Sequence, residues 1–232
     1  MGLSSGRVAL LALVTTLAPA AFAGTANPAN DFTLASNPAG YWGYGYSSTR
    51  VLGSEYNPLT TTHATPALNY WEPTTGTTLP CVVHNSGPSG NYGTIHYDAN
   101  QLALHPGPDG NYAILRFTPP AADNYQVAAE FLGLDFVGPT TTDVHVLLNG
   151  APLFNAMVNG FGPASSTSYN ASLALVPSDT LDFVAGFGPD QSHRFDTTAL
   201  YLTISSPSIV PEPASLGLVA VSILVLYRRR RA

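Results

Sequence analysis

The stretch DVHVLLNGAPLFNAMV, residues 143–158, sets an apolar run on either side of Asn149-Gly150. Asparagine followed by glycine is the pair that best tolerates positive φ at both central positions of a type I′ turn, whose twist suits two antiparallel strands. The segment therefore reads as a β-hairpin. The same two-residue rhythm continues outward from it. In NYAILRF (111–117), Ala113, Leu115 and Phe117 alternate with Tyr112, Ile114 and Arg116. In NYQVAAEF (124–131), Tyr125, Val127, Ala129 and Phe131 alternate with Gln126, Ala128 and Glu130. TALYLTIS (198–205) places Leu200, Leu202 and Ile204 on one face and Tyr201 and Thr203 on the other. Successive strand side chains point to opposite faces, so each of these segments has a core side and a solvent side. SYNASLALV (168–176) and DTLDFVAGF (179–187) complete the set.

Turn formers separate the runs, among them NPAG (37–40), HPGPDG (105–110), GFGPASS (160–166) and GFGPDQ (186–191). Between the two ends of the chain no dozen-residue window keeps helical spacing, and 20 prolines leave no room for long helices. No repeat of fixed period argues for a propeller or solenoid. The expected fold is all-β: a two-sheet antiparallel sandwich of jelly-roll or galactose-binding-like layout.

The ends read differently. Residues 1–23 have the form of a secretory signal peptide: Arg7 in the n-region, Val8 to Leu17 as the apolar h-region, and Ala21-Phe22-Ala23 as a small-x-small cleavage site. The expected division is 1–23 signal peptide, 24–209 sandwich and 210–232 terminal segment. Export through the Sec translocon with signal peptidase as a partner follows from this reading. A single cysteine, Cys81, leaves an exported chain without an internal disulfide, so a hydrophobic core must supply stability. In LPCVV, Cys81 reads as a small buried hydrophobe.

Charged residues make up 9% of the chain, and the eight cationic residues are all arginine. Between the ends only Arg50, Arg116 and Arg194 oppose a majority of aspartates and glutamates, so the central part would repel phosphate backbones, and nucleic acid is excluded as a partner.

Chemistry is sparse. In GYWGYGYSS (40–48), an extended chain puts Trp42, Tyr44 and Tyr46 on one face and Tyr41, Gly43 and Gly45 on the other. Such an aromatic face either stacks sugar rings or fills the core. Tyr70-Trp71 poses the same alternative for Trp71. The six histidines show no HxH or HExxH spacing, so no metal site is expected from them. Calcium is considered only through Asp109, Asn111 and Asp190, whose loops lack a calcium-binding spacing. Asp143 and His145 share a strand face, as an acid/base pair or an ordinary solvated surface, with no nucleophile or oxyanion elbow beside them. Asp179 and Asp182 are a carboxylate pair of the type glycoside hydrolysis needs, but Asp179 sits in the turn PSD. No catalytic residue is assigned and an enzyme is not expected.

The chain closes with VPEPASLGLVAVSILVLYRRRRA. From Ala214 to Tyr227 every residue is apolar, small or aromatic, and as a helix the segment spans about 21 Å against a hydrocarbon core of about 30 Å. Arg228, Arg229, Arg230 and Arg231 fix its orientation by the positive-inside rule. Pro211-Glu212-Pro213, the apolar helix and the arginine stop, in that order, resemble the PEP-CTERM sorting signal of Gram-negative bacteria, recognised by the membrane protease-transferase exosortase. The resemblance implies exosortase as a partner, a transient hold in the inner membrane, processing near the tripeptide, and a final place at the cell surface or outside it, often beside exopolysaccharide and biofilm functions. Between the ends, NPAGYW, QLALHPG, RFTPP, YQVAAEF, DVHVLLNG and DTLDFVAGFG also resemble the sandwich modules of such proteins. Three functions remain open: a surface or matrix protein contacting glycans, an inert envelope component, or a secreted glycan hydrolase. The first leads, with exopolysaccharide as the partner and Trp42, Tyr44, Tyr46 and Trp71 as the candidate glycan contacts.

Overall fold

The Asn149-Gly150 hairpin forms as its sequence dictates: φ is 51° at Asn149 and 80° at Gly150, and Leu148 pairs with Ala151 across the turn. The computed structural model of the protein describes residues 24–74 and 78–206. The expected helices at 1–23 and 214–227 lie outside the described residues. Among the described residues no helix is long and apolar enough to cross a membrane.

Two antiparallel sheets face each other. With strands numbered along the chain, the larger sheet runs β14 (Thr167–Leu175), β11 (Asp123–Gly133), β16 (Thr198–Ser206), β9 (Gln101–His105), β6 (Cys81–Asn85), β5 (Leu68–Glu72), β4 (Thr61–Ala64). The short β1 (Gly24–Ala26) adds to β16 as an eighth strand. The smaller sheet runs β13 (Ala151–Gly160), β12 (Thr140–Leu148), β15 (Leu181–Ala185), β10 (Ala113–Phe117), β2 (Trp42–Tyr46), β3 (Asn57–Pro58). A separate hairpin pairs β7 (Gly90–Tyr92) with β8 (Ile95–Tyr97). This is the expected two-sheet sandwich.

Alternation decides what each strand buries. Tyr125, Phe131, Leu200 and Ile204 from the larger sheet meet Leu115, Phe117, Val144 and Phe183 from the smaller, all at most 2% exposed and in one continuous cluster. The larger sheet is also covered on part of its outer face. There Cys81, Val83, Ala103 and Ala199 pack with Tyr97 from the β7–β8 hairpin. Cys81 is thus buried and unpaired, and burial drives its thiol pKa well above the ordinary value. The rest of that outer face, over β14, β11 and the second half of β16, is open.

Candidate functional site

The aromatic segment of β2 takes the core-filling alternative. Trp42 and Tyr44 are 0% exposed and Trp71 is 5% exposed, while Tyr46 is half-buried. The Trp42 ring packs 5.2 Å from Phe117, and Tyr44 stacks on Trp71 at 5.8 Å. The three rings therefore have no face open to a ligand in this structure. The glycine side is closed as well: a methyl group at Gly43 or Gly45 would overlap Tyr56, whose ring lies there with the Arg116 guanidinium 3.9 Å above it. Arg116 is held in turn by a two-pronged bond to Asp182, 2.7 Å on each prong. Both faces of β2 are occupied by packing, so the glycines make room for Tyr56 and flank no sugar platform.

Asp143 and His145 do meet: His145 Nε2 lies 2.8 Å from Asp143 Oδ2, and its Nδ1 lies 2.6 Å from Asn155. Burial alone would raise the Asp143 pKa, but bonds from His145 and from the Gly188 N–H (2.7 Å) hold it below the ordinary carboxylate range. The same bond ties the loop after β15 onto β12, a structural task. Asp179 accepts from Val176 N–H and from the Asn149 amide, both at 2.8 Å, and so braces the two turns. Asp182 is spent on Arg116. Among the calcium candidates, Asp109 gives its backbone carbonyl to Arg50, Asn111 bonds Ser48, and Asp190 takes Thr141 and Ser192. Among the described residues no group of three histidine, cysteine, aspartate or glutamate side chains is placed to hold a metal ion. The sorting residues Pro211, Glu212, Pro213 and Arg228 to Arg231 lie outside the described residues.

The open site is on the larger sheet. β16 stays with β9 only at Thr198↔Leu104 and Ala199↔Ala103, then leaves it and takes β1 as its new neighbour from Ile204 on. The opening is a groove of about 500 Å³ over β16, β11 and β14, walled by Asn27 and Ala29 after β1 and by Asn100 before β9. Register sets its floor: Tyr201, Glu130 and Ser168 form one cross-strand row, and Thr203, Ala128 and Asn170 the next. Ala128, in the middle, leaves the floor hollow.

Tyr201 is the ring this groove presents, 40% exposed. Its hydroxyl donates to Asp98 (2.9 Å) and accepts from the Gln101 amide (2.5 Å), so the ring is fixed across the gap between β16 and β9. Burial first, and the bond to Asp98 after it, push this phenol's pKa up to about 12, so it is neutral at any physiological pH. By contrast, among the described residues no hydrogen bond engages the side chains of Glu130, Ser168, Asn170 or Thr203. The groove thus offers one immobilised aromatic face, a carboxylate and a set of unspent hydroxyl and amide groups. Sequence reading had Tyr201, Thr203 and Glu130 pointing outward but did not join them. The available signal was that the outward positions of the three strands are Ser, Asn, Gln, Thr, Ala, Tyr and the single acidic Glu130, with no arginine.

A β-sandwich with a neutral-to-acidic groove on one sheet face is the class these features define. Residues 210–231 match the PEP-CTERM protein-sorting motif, so the chain carries the signal of an exported protein held transiently at the membrane before processing. A comparison with curated proteins returns no match. Among solved structures, the CBM51 from Clostridium perfringens GH95 in complex with methyl-galactose overlaps 48% of this chain and 72% of its own, at 16% identity and a TM-score of 0.34. A family 35 carbohydrate binding module from Clostridium thermocellum overlaps 60% of this chain and 87% of its own, at 13% identity and a TM-score of 0.28. The Agl-KA catalytic domain overlaps 50% of this chain and 23% of its own, at 16% identity and a TM-score of 0.28. At these scores nothing about ligand or activity passes from those proteins to this one.

Proposed function

We propose that this protein is sorted by exosortase to the cell surface or the surrounding matrix, where its sandwich contacts glycans without turning them over. The observation that supports the glycan reading is the groove at Tyr201: a fixed ring flanked by hydroxyl, amide and carboxylate groups that no hydrogen bond engages among the described residues. A pyranose lays its C–H face on such a ring, while its hydroxyls bond to side chains such as Asn170 and Thr203. Because the ring is already locked by Asp98 and Gln101, binding costs little side-chain entropy. Glu130 and the acidic balance of the chain favour neutral sugars and disfavour uronates. Exopolysaccharide in a biofilm matrix is the setting this reading gives the domain.

The test is affinity electrophoresis of the processed protein through gels containing xylan, β-1,3-glucan or alginate. Retardation by a neutral polysaccharide, abolished by Tyr201→Ala with the melting temperature little changed, is the expected result. No retardation in any gel returns the protein to the inert envelope class. Release of reducing ends from the polysaccharide would make it a hydrolase.

A further inference from the structure

A second cavity, of about 260 Å³, lies on the covered half of the larger sheet's outer face, between that sheet and the β7–β8 hairpin. Rings line it on several sides: His63 and Tyr70, a cross-strand pair on β4 and β5 with centroids 5.5 Å apart, His105 on β9, and Tyr97 on the hairpin. Val83 and Ile95 are apolar wall between them. The phenols are neutral. Burial, with Cys81 and Glu72 after it, pushes Tyr70 up to about 12, and burial raises Tyr97 well above its ordinary value. His105 is uncharged as well, because burial brings it down to about 4. Its Nδ1 lies 2.8 Å from the Pro106 carbonyl, which can only accept, so Nδ1 carries the proton and Nε2 keeps a lone pair. Among the described residues no hydrogen bond engages that Nε2.

Behind two of these walls stands a buried carboxylate. Glu72, two residues past Tyr70 on the same face of β5, is 2% exposed, and among the described residues its Oε1 takes no hydrogen bond. His63 Nδ1 lies 3.4 Å from it, on a side chain half open to solvent. Asp135, bridged to Ile95, is 1% exposed and accepts from the Thr94 hydroxyl at 2.6 Å and the Thr197 N–H at 3.2 Å. Among the described residues no arginine pairs with either carboxylate. Buried negative charge without a cation is costly, and its field falls on the neutral rings between the two groups. The π faces of those rings carry partial negative charge of their own. We propose that this cavity is a site for a small quaternary ammonium alcohol of the choline type, its methyl groups against Tyr70 and Tyr97 and its hydroxyl donating to His105 Nε2. Methylation matters because a primary ammonium brings three donors into walls that are mostly apolar, whereas a quaternary one brings none. Size agrees, since an apolar cavity of about 150 Å³ already takes benzene. An anion would meet two carboxylates. The site is separate from the groove at Tyr201 and stands without the glycan reading.

The experiment is calorimetric titration of the processed protein with choline and, separately, with dimethylbutanol, the neutral molecule in which carbon replaces the ammonium nitrogen. Choline is expected to bind and its carbon isostere to bind at least about tenfold more weakly, because shape is shared and only charge differs. Equal affinities, or no binding of choline, overturn the proposal. Glu72→Gln keeps the volume and removes the charge, and should weaken choline about 3- to 10-fold while leaving the isostere unchanged. Unchanged choline affinity in that variant overturns the electrostatic argument. Tyr70→Leu and Tyr70→Phe give a second arm that leaves Glu72 in place: the first should weaken choline and the second should retain it, since the ring face and not the hydroxyl holds the cation. Equal loss in both overturns the ring's role. Circular dichroism confirms that each variant is folded before its titration is read. Flotation with phosphatidylcholine vesicles separates the two sources of this chemistry: co-flotation assigns a lipid headgroup, and choline binding without it assigns the free cation. Tyr201→Ala should leave every choline result unchanged, so a failed glycan reading and a failed cation reading show independently.

Discussion

Replacing Trp42 by alanine separates a core role from a ligand role more sharply than any other change. The indole is fully buried, lies 5.2 Å from Phe117 in the register pair Trp42↔Phe117, and donates its Nε1–H to Asp31 at 2.9 Å. Truncation removes the transfer free energy of the ring and leaves a cavity that two hydrogen-bonded strands cannot collapse around. For a tryptophan in such a site the loss is about 3 to 5 kcal/mol. The lost bond to Asp31 adds little, because that carboxylate is exposed and water replaces the indole. In a domain of this size each kcal/mol lowers the melting temperature by about 2 to 4 °C, so the expected drop is about 6 to 20 °C. Calorimetry and far-ultraviolet circular dichroism on the processed protein measure it, alongside polysaccharide retardation well below the transition. Retardation should survive, since Trp42 lines no part of the groove. An unchanged melting temperature with lost retardation would refute the core placement and restore Trp42 as a sugar platform.

Removing Arg116 alone should be costly, because it leaves Asp182, 4% exposed, without its two-pronged partner; Arg116→Leu is expected to lose about 3 to 5 kcal/mol by denaturant titration, and adding Asp182→Leu to recover part of it. Asp196 carries a pH signature: burial pushes its carboxyl up to about 7, Thr141 bonds pull against this, and Asp190 and Asp135 add to the rise. Since the folded pKa lies above the unfolded one, the folded state keeps the proton as pH rises from about 4 to 7, and its contribution to stability is greatest at acid pH and lost through that window. Thermal melts of Asp196→Asn minus those of the natural protein should therefore favour the variant increasingly between those limits, and a difference independent of pH would reject the assignment. At the tail, exchanging Pro211-Glu212-Pro213 for three alanines should leave export intact and strand the uncut chain in the inner membrane, as fractionation and mass would show; release of a tailless product would refute the sorting reading.

Much of this architecture was legible before any coordinates. The Asn149-Gly150 turn is local chemistry: two residues that accept positive φ stand between two apolar runs, and the hairpin follows. The alternations in 124–131 and 198–205 are local too, because backbone pleating alone sends Tyr125 and Leu200 one way and Glu130 and Tyr201 the other. The terminal sorting motif is a linear signal and was readable as one. What pattern could not supply was which open face belonged to which neighbour. That Trp42 and Tyr44 face inward depends on Tyr56, Arg116 and Asp182 covering the glycine side of the same strand, three residues brought there from separate parts of the chain. That Tyr201 is held in a groove depends on β16 parting from β9 and accepting β1, a pairing between the two ends of the domain. Strand periodicity fixes the side on which a residue lies, whereas long-range pairing decides what lies across from it, and the groove exists only at that second level.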